Sequence, residues 1–376
     1  MEKIAVLGGG NGACALAADL ASQGYQVNLA DLPSFSAGLA PVIDKKGLSY
    51  SGAIGEGFAR LNMVTVDIKD AIHDTRFILM SVPSFGQRAF FEAIIPHLED
   101  GQTIVLITGN MGTLELDALL KNQGISKKIT LAETNTLPYG TRLNGPASVN
   151  VEYKTAVSLA AFPSKYTEEV ISGMSGMFEI HPASDVVEMG LLNTNLLLHP
   201  VECIFNAGRI EYSKGDFYSH GEGYTPVVAR FSVRMYRELK SIAKAIGMDL
   251  DIWKIASEFF GVEYDPAMAK EIDEMDQNAL AAYFSEAVQA SPLAKIKGPG
   301  YLDYRYLTED VPYGLVTAAS LGDMVGVDAK LIKTLIYIAS IINKRDHMKE
   351  GRTVERLGIA GMSPAQLVGY LKEGSI

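Results

Sequence analysis

Cysteine and positive charge are both scarce in this chain of 376 residues. Its two cysteines, Cys14 and Cys203, cannot build a disulfide framework and form no CxxC pair, which is typical of a reducing compartment. We therefore expect a cytoplasmic protein. Lysine and arginine number 33 against 44 aspartates and glutamates, so the formal net charge is −11. Because no basic run offsets this charge, neither nucleic acid nor an anionic membrane surface is expected as a partner.

Long apolar runs are missing as well. The most apolar stretch, residues 191–205, is interrupted by two asparagines, a histidine and a glutamate. It therefore falls short of the roughly 18 apolar residues that a membrane-spanning helix needs. The apolar run at residues 4–7 is too short for the core of a signal peptide. We expect neither a membrane segment nor a signal peptide.

The first part of the chain alternates short apolar runs with helical segments, which is typical of a parallel sheet wrapped by helices. The predicted strands are residues 4–7, 26–30, 77–82, 103–108, 129–132 and 155–161. The predicted helices between them are residues 13–23, 90–98 and 113–122. Residues 163–184 are interpreted as an edge unit or a connector. The pattern predicts an α/β Rossmann domain with a doubly wound, mostly parallel sheet over residues 1–184.

Beyond residue 184 the pattern changes to long helical segments, and few strand signals remain. The predicted helices are residues 186–205, 226–246, 250–260, 276–290 and 329–345. No internal repeat is visible, so a solenoid is not supported. Because 376 residues also exceed the size at which one hydrophobic core stops growing, we predict a second, all-α domain over residues 185–376.

A glycine-rich segment directly follows the first predicted strand and opens a helix. Gly8, Gly10 and Ala13 fit the GxGxxA spacing, with Asn11 and Gly12 between them. The small residues allow a tight turn, close approach of a pyrophosphate and close packing of helix on strand. The free N–H groups at the start of the helix then face the phosphates. A plain glycine-rich turn is the alternative, but the order of strand, turn, helix, strand and acid favours dinucleotide binding.

The acid of this motif is Asp31, which ends the second predicted strand. A carboxylate there can accept hydrogen bonds from the ribose hydroxyls and would repel a 2′-phosphate. No lysine or arginine lies between Asp31 and Lys45, so NAD is favoured over NADP. A solvated loop aspartate is the alternative. Pro83, after the strand at residues 77–82, and the loop at residues 108–112 either line the nicotinamide side or are ordinary turns.

A polar stripe marks the predicted helix at residues 186–205. Asn195, His199, Glu202 and Asn206 are spaced by four, three and four residues and therefore share one helix face. An otherwise apolar helix must turn such a face toward polar partners or a wet cleft. His199 is either a catalytic group or a core histidine with its hydrogen bonds satisfied. Pro200 should bend the helix beside it.

A second polar segment, residues 303–315, is interpreted as a loop that contains Arg305 and Asp310. An arginine suits a substrate carboxylate because it can pair with both oxygens. An aspartate suits the ring N–H of a histidine and fixes its tautomer. A surface charge cluster is the alternative, and the sequence alone does not place Asp310 next to His199.

Taken together and in order, these segments resemble the octopine/nopaline-type opine dehydrogenase family over nearly the whole chain. The matching motifs are GGGNGA at 8–13, ETNTLPY at 133–139 with Arg142, the 193–200 helix, NAG at 206–208, EGYTP at 222–226, RYLTEDVP at 305–312, GRT at 351–353 and LG at 357–358. RYLTEDVP is far more specific than GxGxxA.

The resemblance implies reductive condensation of an amino acid's amine with an α-keto acid such as pyruvate, with NADH or NADPH as reductant. It implies that His199 is the general acid/base, that Asp310 orients it and that Arg305 holds the keto-acid carboxylate. This agrees with the chemistry, because an imine accepts hydride readily only when it is protonated or hydrogen-bonded and a histidine can supply that proton at neutral pH. Asn195 and Arg142 are further substrate-binding candidates, although Arg142 could equally be a surface residue.

Several alternatives stay open. A ketopantoate or hydroxy-acid reductase with the same two-domain plan would use the keto acid alone, and an NAD-sensing regulator would bind the dinucleotide without chemistry. His220 is interpreted either as a surface residue or as a substrate contact. His199, Glu202 and Cys203 lack a recognisable metal-ligand spacing, so no metal is expected. The expected partners are small molecules, and a homodimer is one possible assembly.

Overall fold

The computed structural model describes residues 2–260 and 263–375. The chain forms two compact units, of which the first comprises Met1–Gly190 with Gly369–Ile376 and the second Leu191–Val368. The boundary proposed from the sequence after residue 184 falls shortly before this division. Nothing in the sequence indicated that the last residues would belong to the first unit.

The first unit contains two sheets and the helices that pack on them. Its strands are β1 (Lys3–Leu7), β2 (Gln26–Ala30), β3 (Gly47–Gly52), β4 (Gly57–Arg60), β5 (Met63–Thr65), β6 (Phe77–Met80), β7 (Thr103–Ile107), β8 (Thr130–Thr134), β9 (Tyr139–Gly145), β10 (Ser148–Lys154), β11 (Val157–Phe162) and β12 (Ile180–Pro182). Its helices are α1 (Asn11–Ser22), α2 (Ala40–Lys45), α3 (Ile68–Ile72), α4 (Ser84–Ile94), α5 (Gly112–Asn122), α6 (Thr167–Gly173) and α7 (Val186–Leu191), the last of which ends at the division.

The larger sheet has the strand order β12-β11-β8-β7-β6-β1-β2-β5. All of its neighbouring strands are parallel except β11, which runs antiparallel to β8. The inner part, β5-β2-β1-β6-β7-β8, has the order of a Rossmann sheet, which confirms the predicted fold class. Its central strands are apolar on both faces because helices cover both sides of a parallel sheet.

The smaller sheet, with the order β4-β3-β10-β9, was not predicted. β3 has the sequence GLSYSG, and glycine and serine have little intrinsic preference for strands. β4 is the next strand along the chain and pairs with β3 as a hairpin, whereas β10, which pairs with the other edge of β3, comes much later in the sequence. The pairing of β3 with the distant β10 therefore joins two local hairpins, β3-β4 and β9-β10, into one sheet.

The second unit is helical. Its helices are α8 (Thr194–Phe205), α9 (Ala207–Ser213), α10 (Pro226–Ile246), α11 (Ile252–Phe260), α12 (Pro266–Glu274), α13 (Gln277–Ala290), α14 (Arg305–Thr308), α15 (Val316–Val325), α16 (Lys330–Asn343) and α17 (His347–Glu350), followed by α18 (Pro364–Glu373), which ends in the first unit. No strand occurs among the described residues of this unit. The prediction of an all-α region is confirmed.

The single helix predicted over residues 186–205 is wrong, because the chain breaks it into α7 and α8. Asn193 lies at the break, and its side chain accepts a hydrogen bond from the N–H of Asn195 at 3.0 Å. This N-cap satisfies a backbone donor that would otherwise be unpaired at the start of α8. Asparagine therefore starts a new helix here instead of continuing the old one.

The longest helix, α10, has the ends that its sequence predicts. Thr225 is the N-cap and accepts from the N–H of Val228, Pro226 occupies the first turn, and Gly247 ends the helix at φ +96°. A buried carboxylate on α10, that of Glu238, accepts from backbone N–H groups of α16. Within the described part of the chain, no helix has the length and apolar character that crossing a membrane requires.

Candidate active site

The glycine-rich turn joins β1 to α1 in the first unit. Gly8 has φ +117°, and a Cβ there would lie 2.6 Å from the carbonyl oxygen of Ser81. Its N–H donates to the carbonyl of Ala30 at 2.8 Å. Glycine is therefore required by both the backbone conformation and the close neighbouring strand.

The space in front of α1 suits a phosphate. Gly10 is the N-cap of α1, and a Cβ built on it would meet no atom within 4 Å. A Cβ on Gly12 would instead lie 2.6 Å from the Ser81 hydroxyl oxygen, and Ala13 is fully buried. The turn thus leaves open space at the helix N-terminus and packs closely behind it, which is the arrangement that a pyrophosphate needs.

Asp31 lies directly after β2, beside this turn. Its side chain accepts from the N–H of Leu32 at 2.8 Å. A Cβ on Gly9 would lie 2.6 Å from Oδ2 of Asp31, so the carboxylate is packed against the glycine-rich turn. Burial raises the pKa of Asp31, whereas the N–H groups of Leu32 and Gly9 lower it. The carboxylate is thus placed beside the glycine-rich turn, and its role as a ribose acceptor stays a prediction.

Asn11 and Arg142 are connected through the smaller sheet. The Asn11 side-chain oxygen accepts from the N–H of Leu143 on β9 at 2.9 Å. Arg142, the preceding residue on β9, is exposed, and its Nη1 donates to the carbonyl of Thr141 at 2.8 Å. Arg142 therefore belongs to the unit that carries the glycine-rich turn, and its role as a substrate contact stays a prediction.

A side-chain hydrogen bond links the segment after β6 to the loop after β7. Pro83 precedes α4, and the hydroxyl of the next residue, Ser84, accepts from the side-chain amide of Asn110 at 2.8 Å. Glu133 on β8 is buried and accepts from the N–H of Met111 at 2.7 Å. Sequence reasoning gave Glu133 no role. The signal in the sequence was an acidic residue inside the strand run TLAET at Thr130–Thr134.

The chemical centre of the second unit is a histidine–aspartate pair. Nδ1 of His199 on α8 lies 2.7 Å from Oδ2 of Asp310, and both side chains are largely buried. The segment that supplies Asp310 is not the loop that was predicted for residues 303–315. It is α14 followed by a π-helical turn, Val311–Leu315. Two short helical elements therefore fix the direction of Asp310.

Two neighbours complete the surroundings of His199. The Tyr306 ring stacks on the His199 ring with centroids 3.5 Å apart and planes at 9°. Arg305 is half-exposed, and its Nη2 forms an ion pair with Oε2 of buried Glu309 at 2.8 Å. Both residues belong to the RYLTED segment, but the sequence gave no sign that Tyr306 would stack on His199.

Burial sets the protonation of the pair. It lowers the pKa of His199, with a further lowering by the neighbouring charge of His220. It raises the pKa of Asp310 to about 7, against the opposing charge of Arg305. Because the two groups share a 2.7 Å hydrogen bond, the pair gains or loses one proton near neutrality.

Two other residues of the polar stripe, Glu202 and Asn206, form hydrogen bonds to a neighbouring turn. Glu202, fully buried, accepts from the Ser219 hydroxyl at 3.1 Å and lies 2.7 Å from Nδ1 of His220. Asn206 donates to the carbonyl of Gly223, the last residue of the π-helical turn Ser219–Gly223. Among the residues described, no group of three histidine, cysteine or acidic side chains is arranged to hold a metal ion.

Asn195 lies one turn before His199 on the same face of α8 and is half-buried. Within residues 2–260 and 263–375, its side-chain amide has no hydrogen-bond partner. The structure thus brings Asn195, His199, Asp310 and Arg305 together in the second unit, and Gly8, Gly10, Asn11, Gly12, Ala13 and Asp31 together in the first.

Comparison with known proteins finds relatives over the whole length. Residues 182–343 match the family of NAD/NADP octopine/nopaline dehydrogenases, alpha-helical domain. An opine dehydrogenase of Arthrobacter sp. (strain 1C) is 31% identical over 365 residues, which are 96% of each chain. A solved octopine dehydrogenase with NADH and L-arginine superposes with a TM-score of 0.73 at 20% identity, covering 98% of each chain. A yersinopine dehydrogenase with NADP⁺ bound gives a TM-score of 0.77 at 14% identity, covering 99% of this chain and 98% of its own.

Proposed function

Because the chain belongs to the opine dehydrogenase family of NAD(P)-dependent oxidoreductases, we propose that it condenses an amino acid with an α-keto acid such as pyruvate. The product is an N-(carboxyalkyl) amino acid, and the reaction is reversible. The observation that carries the proposal is the His199–Asp310 pair at 2.7 Å with Arg305 beside it. An amine-dependent reduction needs a proton donor and an anchor for a carboxylate, and this cluster supplies both.

The condensation is written in two steps. The amine nitrogen adds to the keto carbon of the α-keto acid, and a water molecule leaves to form a C=N bond. When bound, the reduced nicotinamide supplies the hydride that adds to the carbon of this bond and is itself oxidised. A protonated or hydrogen-bonded imine nitrogen accepts the electron pair that the hydride displaces, so the chain must hold a proton there.

His199 is the group that holds this proton. Its Nδ1 is bonded to Asp310, so Nε2 is the atom left to donate to the substrate. Asp310 fixes the tautomer and stabilises the imidazolium, as a carboxylate does in other histidine–acid pairs. In the oxidative direction the same Nε2 takes the proton back. The Tyr306 ring, stacked at 3.5 Å, holds the plane of the imidazole in one orientation.

The function is tested by following reduced-nicotinamide consumption with pyruvate across a set of amino acids. Turnover that requires both pyruvate and one class of amino acid supports the proposal. Turnover with the keto acid alone would make the protein a keto-acid reductase. Binding of NADH with no turnover under any combination would make it a dinucleotide sensor.

We propose NADH rather than NADPH as the reductant, because Asp31 lies beside the phosphate-binding turn. Asp31→Ser should lower the ratio of kcat/KM for NADH to that for NADPH by about 10- to 100-fold, the value of one hydrogen bond to a charged group. The change removes a ribose acceptor and a charge that repels a 2′-phosphate. Steady-state kinetics with each cofactor measures the ratio. Asp44→Ser, which removes an exposed carboxylate from α2, is the control. Equal use of both cofactors by the parent protein would refute the assignment.

Arg305→Lys should raise the KM for pyruvate by about 10-fold or more and leave the KM for NADH unchanged. Lysine keeps the charge but loses the planar fork that binds both carboxylate oxygens, about one charge-assisted hydrogen bond. Arg345→Lys, which alters another arginine–glutamate pair of the second unit, is the matched control. If pyruvate saturation is the same in both variants, Arg305 has only a structural role beside Glu309.

We also propose that the enzyme works in the cytoplasm. Cys14 and Cys203 are both free and buried, as expected for structural cysteines in a reducing compartment. Burial raises the pKa of the Cys14 thiol to about 12, which keeps it protonated and unreactive at neutral pH.

A further inference from the structure

A second histidine–carboxylate pair lies next to the first. Nδ1 of His220 is 2.7 Å from Oε1 of Glu202, and the two side chains are 2% and 1% exposed. The His220 ring stacks toward the His199 ring, with centroids 6.3 Å apart and planes at 24°. Glu202 and His199 are neighbours on the polar stripe of α8, so both pairs are built on one helix face.

The carboxylate of Glu202 determines how the His220 ring is oriented. Burying a carboxylate is costly unless it is paired, and Glu202 is paired with His220 and with the Ser219 hydroxyl. Nδ1 is engaged by Glu202, while Nε2 has no hydrogen-bond partner in the part of the chain that the structure describes. Nε2 is therefore the ring nitrogen of His220 that is left to contact a ligand.

The proposed reaction requires such a donor. Its product carries two carboxylates, one from the keto acid and one from the amino acid. Arg305 is proposed to bind only the carboxylate of the keto acid. Within the described residues, Arg305 and His220 are the two cationic groups whose charges act on His199. His220, whose ring centroid lies 6.3 Å from that of His199, is thus the remaining candidate of the cluster for the second carboxylate.

We propose that His220, oriented by Glu202, donates a hydrogen bond from Nε2 to the α-carboxylate of the amino acid substrate. This role rests on the proposed function. It also relates substrate binding to proton transfer, because the charge of His220 disfavours a second charge on His199. A substrate carboxylate on His220 neutralises that charge and favours the protonated form of His199 that the reduction uses.

The test compares an amino acid with the amine that lacks its carboxylate. The best amino acid of the substrate scan and its decarboxylated amine are each measured with pyruvate and NADH, and the ratio of their kcat/KM values is the readout. His220→Asn removes Nε2, while its amide can still donate to Glu202. The ratio should fall about 10- to 100-fold, the loss expected for one charge-assisted hydrogen bond. The KM for pyruvate should change little.

Two further variants keep the result interpretable. His73→Asn alters a pair with the same 2.7 Å distance between Nδ1 and a glutamate oxygen, His73 with Glu99, on the surface of the first unit, and should leave the ratio unchanged. Glu202→Gln keeps an oxygen that can accept from Nδ1 but removes the anion, and should lower the ratio in the same direction as His220→Asn. If thermal unfolding shows that His220→Asn does not fold, the ratio measured for Glu202→Gln tests the proposal instead.

The outcomes separate this role from the proposed function. A parent enzyme that shows no amine-dependent turnover would overturn the proposed function, and the role of His220 with it. Normal turnover in the parent, together with an unchanged ratio in folded His220→Asn and Glu202→Gln, would overturn only the carboxylate site. An equal loss for the amino acid and its decarboxylated amine would also overturn it, because a packing defect does not distinguish the two.

Discussion

Replacing His199 by alanine is expected to lower turnover about 10²- to 10⁴-fold, the contribution typical of a positioned general acid or base. Alanine cannot hold a proton at the position of Nε2, so the imine must take its proton from water. Asp310 would also lose its partner at 2.7 Å and stay buried. The loss should therefore appear in kcat in both reaction directions.

Binding of NADH should survive this change. The glycine-rich turn and Asp31 lie in the first unit, whereas His199 lies in the second. Fluorescence titration of NADH would measure the affinity, and single-turnover reduction would measure the chemical step. His181→Ala, which removes a partly exposed histidine of the first unit, is the control. A folded His199→Ala enzyme with near-normal kcat would return His199 to the role of a core histidine with its hydrogen bonds satisfied.

The pattern of the sequence predicted the larger sheet well because its strands are locally encoded. β6 is apolar throughout, and β1 and β7 are apolar after their first residue. Each strand is followed by residues that are typical of a turn or of the start of a helix. Residues 163–184 were interpreted as an edge unit or connector, and β12 does lie at the edge of the sheet. The smaller sheet was missed because its glycine- and serine-containing strand β3 is formed only by pairing with β4 and β10.

The site was predictable in part. Periodicity alone placed His199 and Glu202 on one helix face, and the structure has both on α8. Residue spacing did not show which acid each histidine would meet, since Asp310 is 111 residues from His199 and approaches only through the fold. The family resemblance implied Asp310 as the partner of His199 but gave no partner for His220. The pairing of Glu202 with His220 and the stacking of Tyr306 were missed for the same reason. They depend on the direction of side chains from short helical turns, which residue spacing does not encode.

Asp310→Asn is expected to lower the reductive turnover at pH 7 on the order of 10²-fold or more. Asparagine fills the same volume, so the fold should be kept. Its amide cannot stabilise the imidazolium, and when its nitrogen faces Nδ1 it selects the wrong tautomer. Thermal unfolding would check the fold, and steady-state rates in both directions would measure the loss.

The pH dependence of the two enzymes should differ in a direction that the structure defines. In the parent enzyme, burial raises the pKa of Asp310 to about 7, so the pair carries its additional proton below that pH and loses it above. Reductive kcat should therefore fall as the pH rises through about 7, and oxidative kcat should fall as the pH drops through it. In Asp310→Asn the carboxylate is gone, and burial lowers the pKa of His199. The pH at which reductive kcat falls and the pH at which oxidative kcat falls should therefore both be lower than in the parent enzyme.

The double variant tests whether the two residues act as one unit. If Asp310 acts only through His199, the loss in His199→Ala/Asp310→Asn should be close to that of His199→Ala alone, because the proton transfer is already absent. Losses that multiply would mean that Asp310 has an independent role, such as holding Arg305 in place. Asp310→Asn with an unshifted pH profile would show that the proton titrating near neutrality belongs to another group, and His220 with Glu202 would then be the pair to examine.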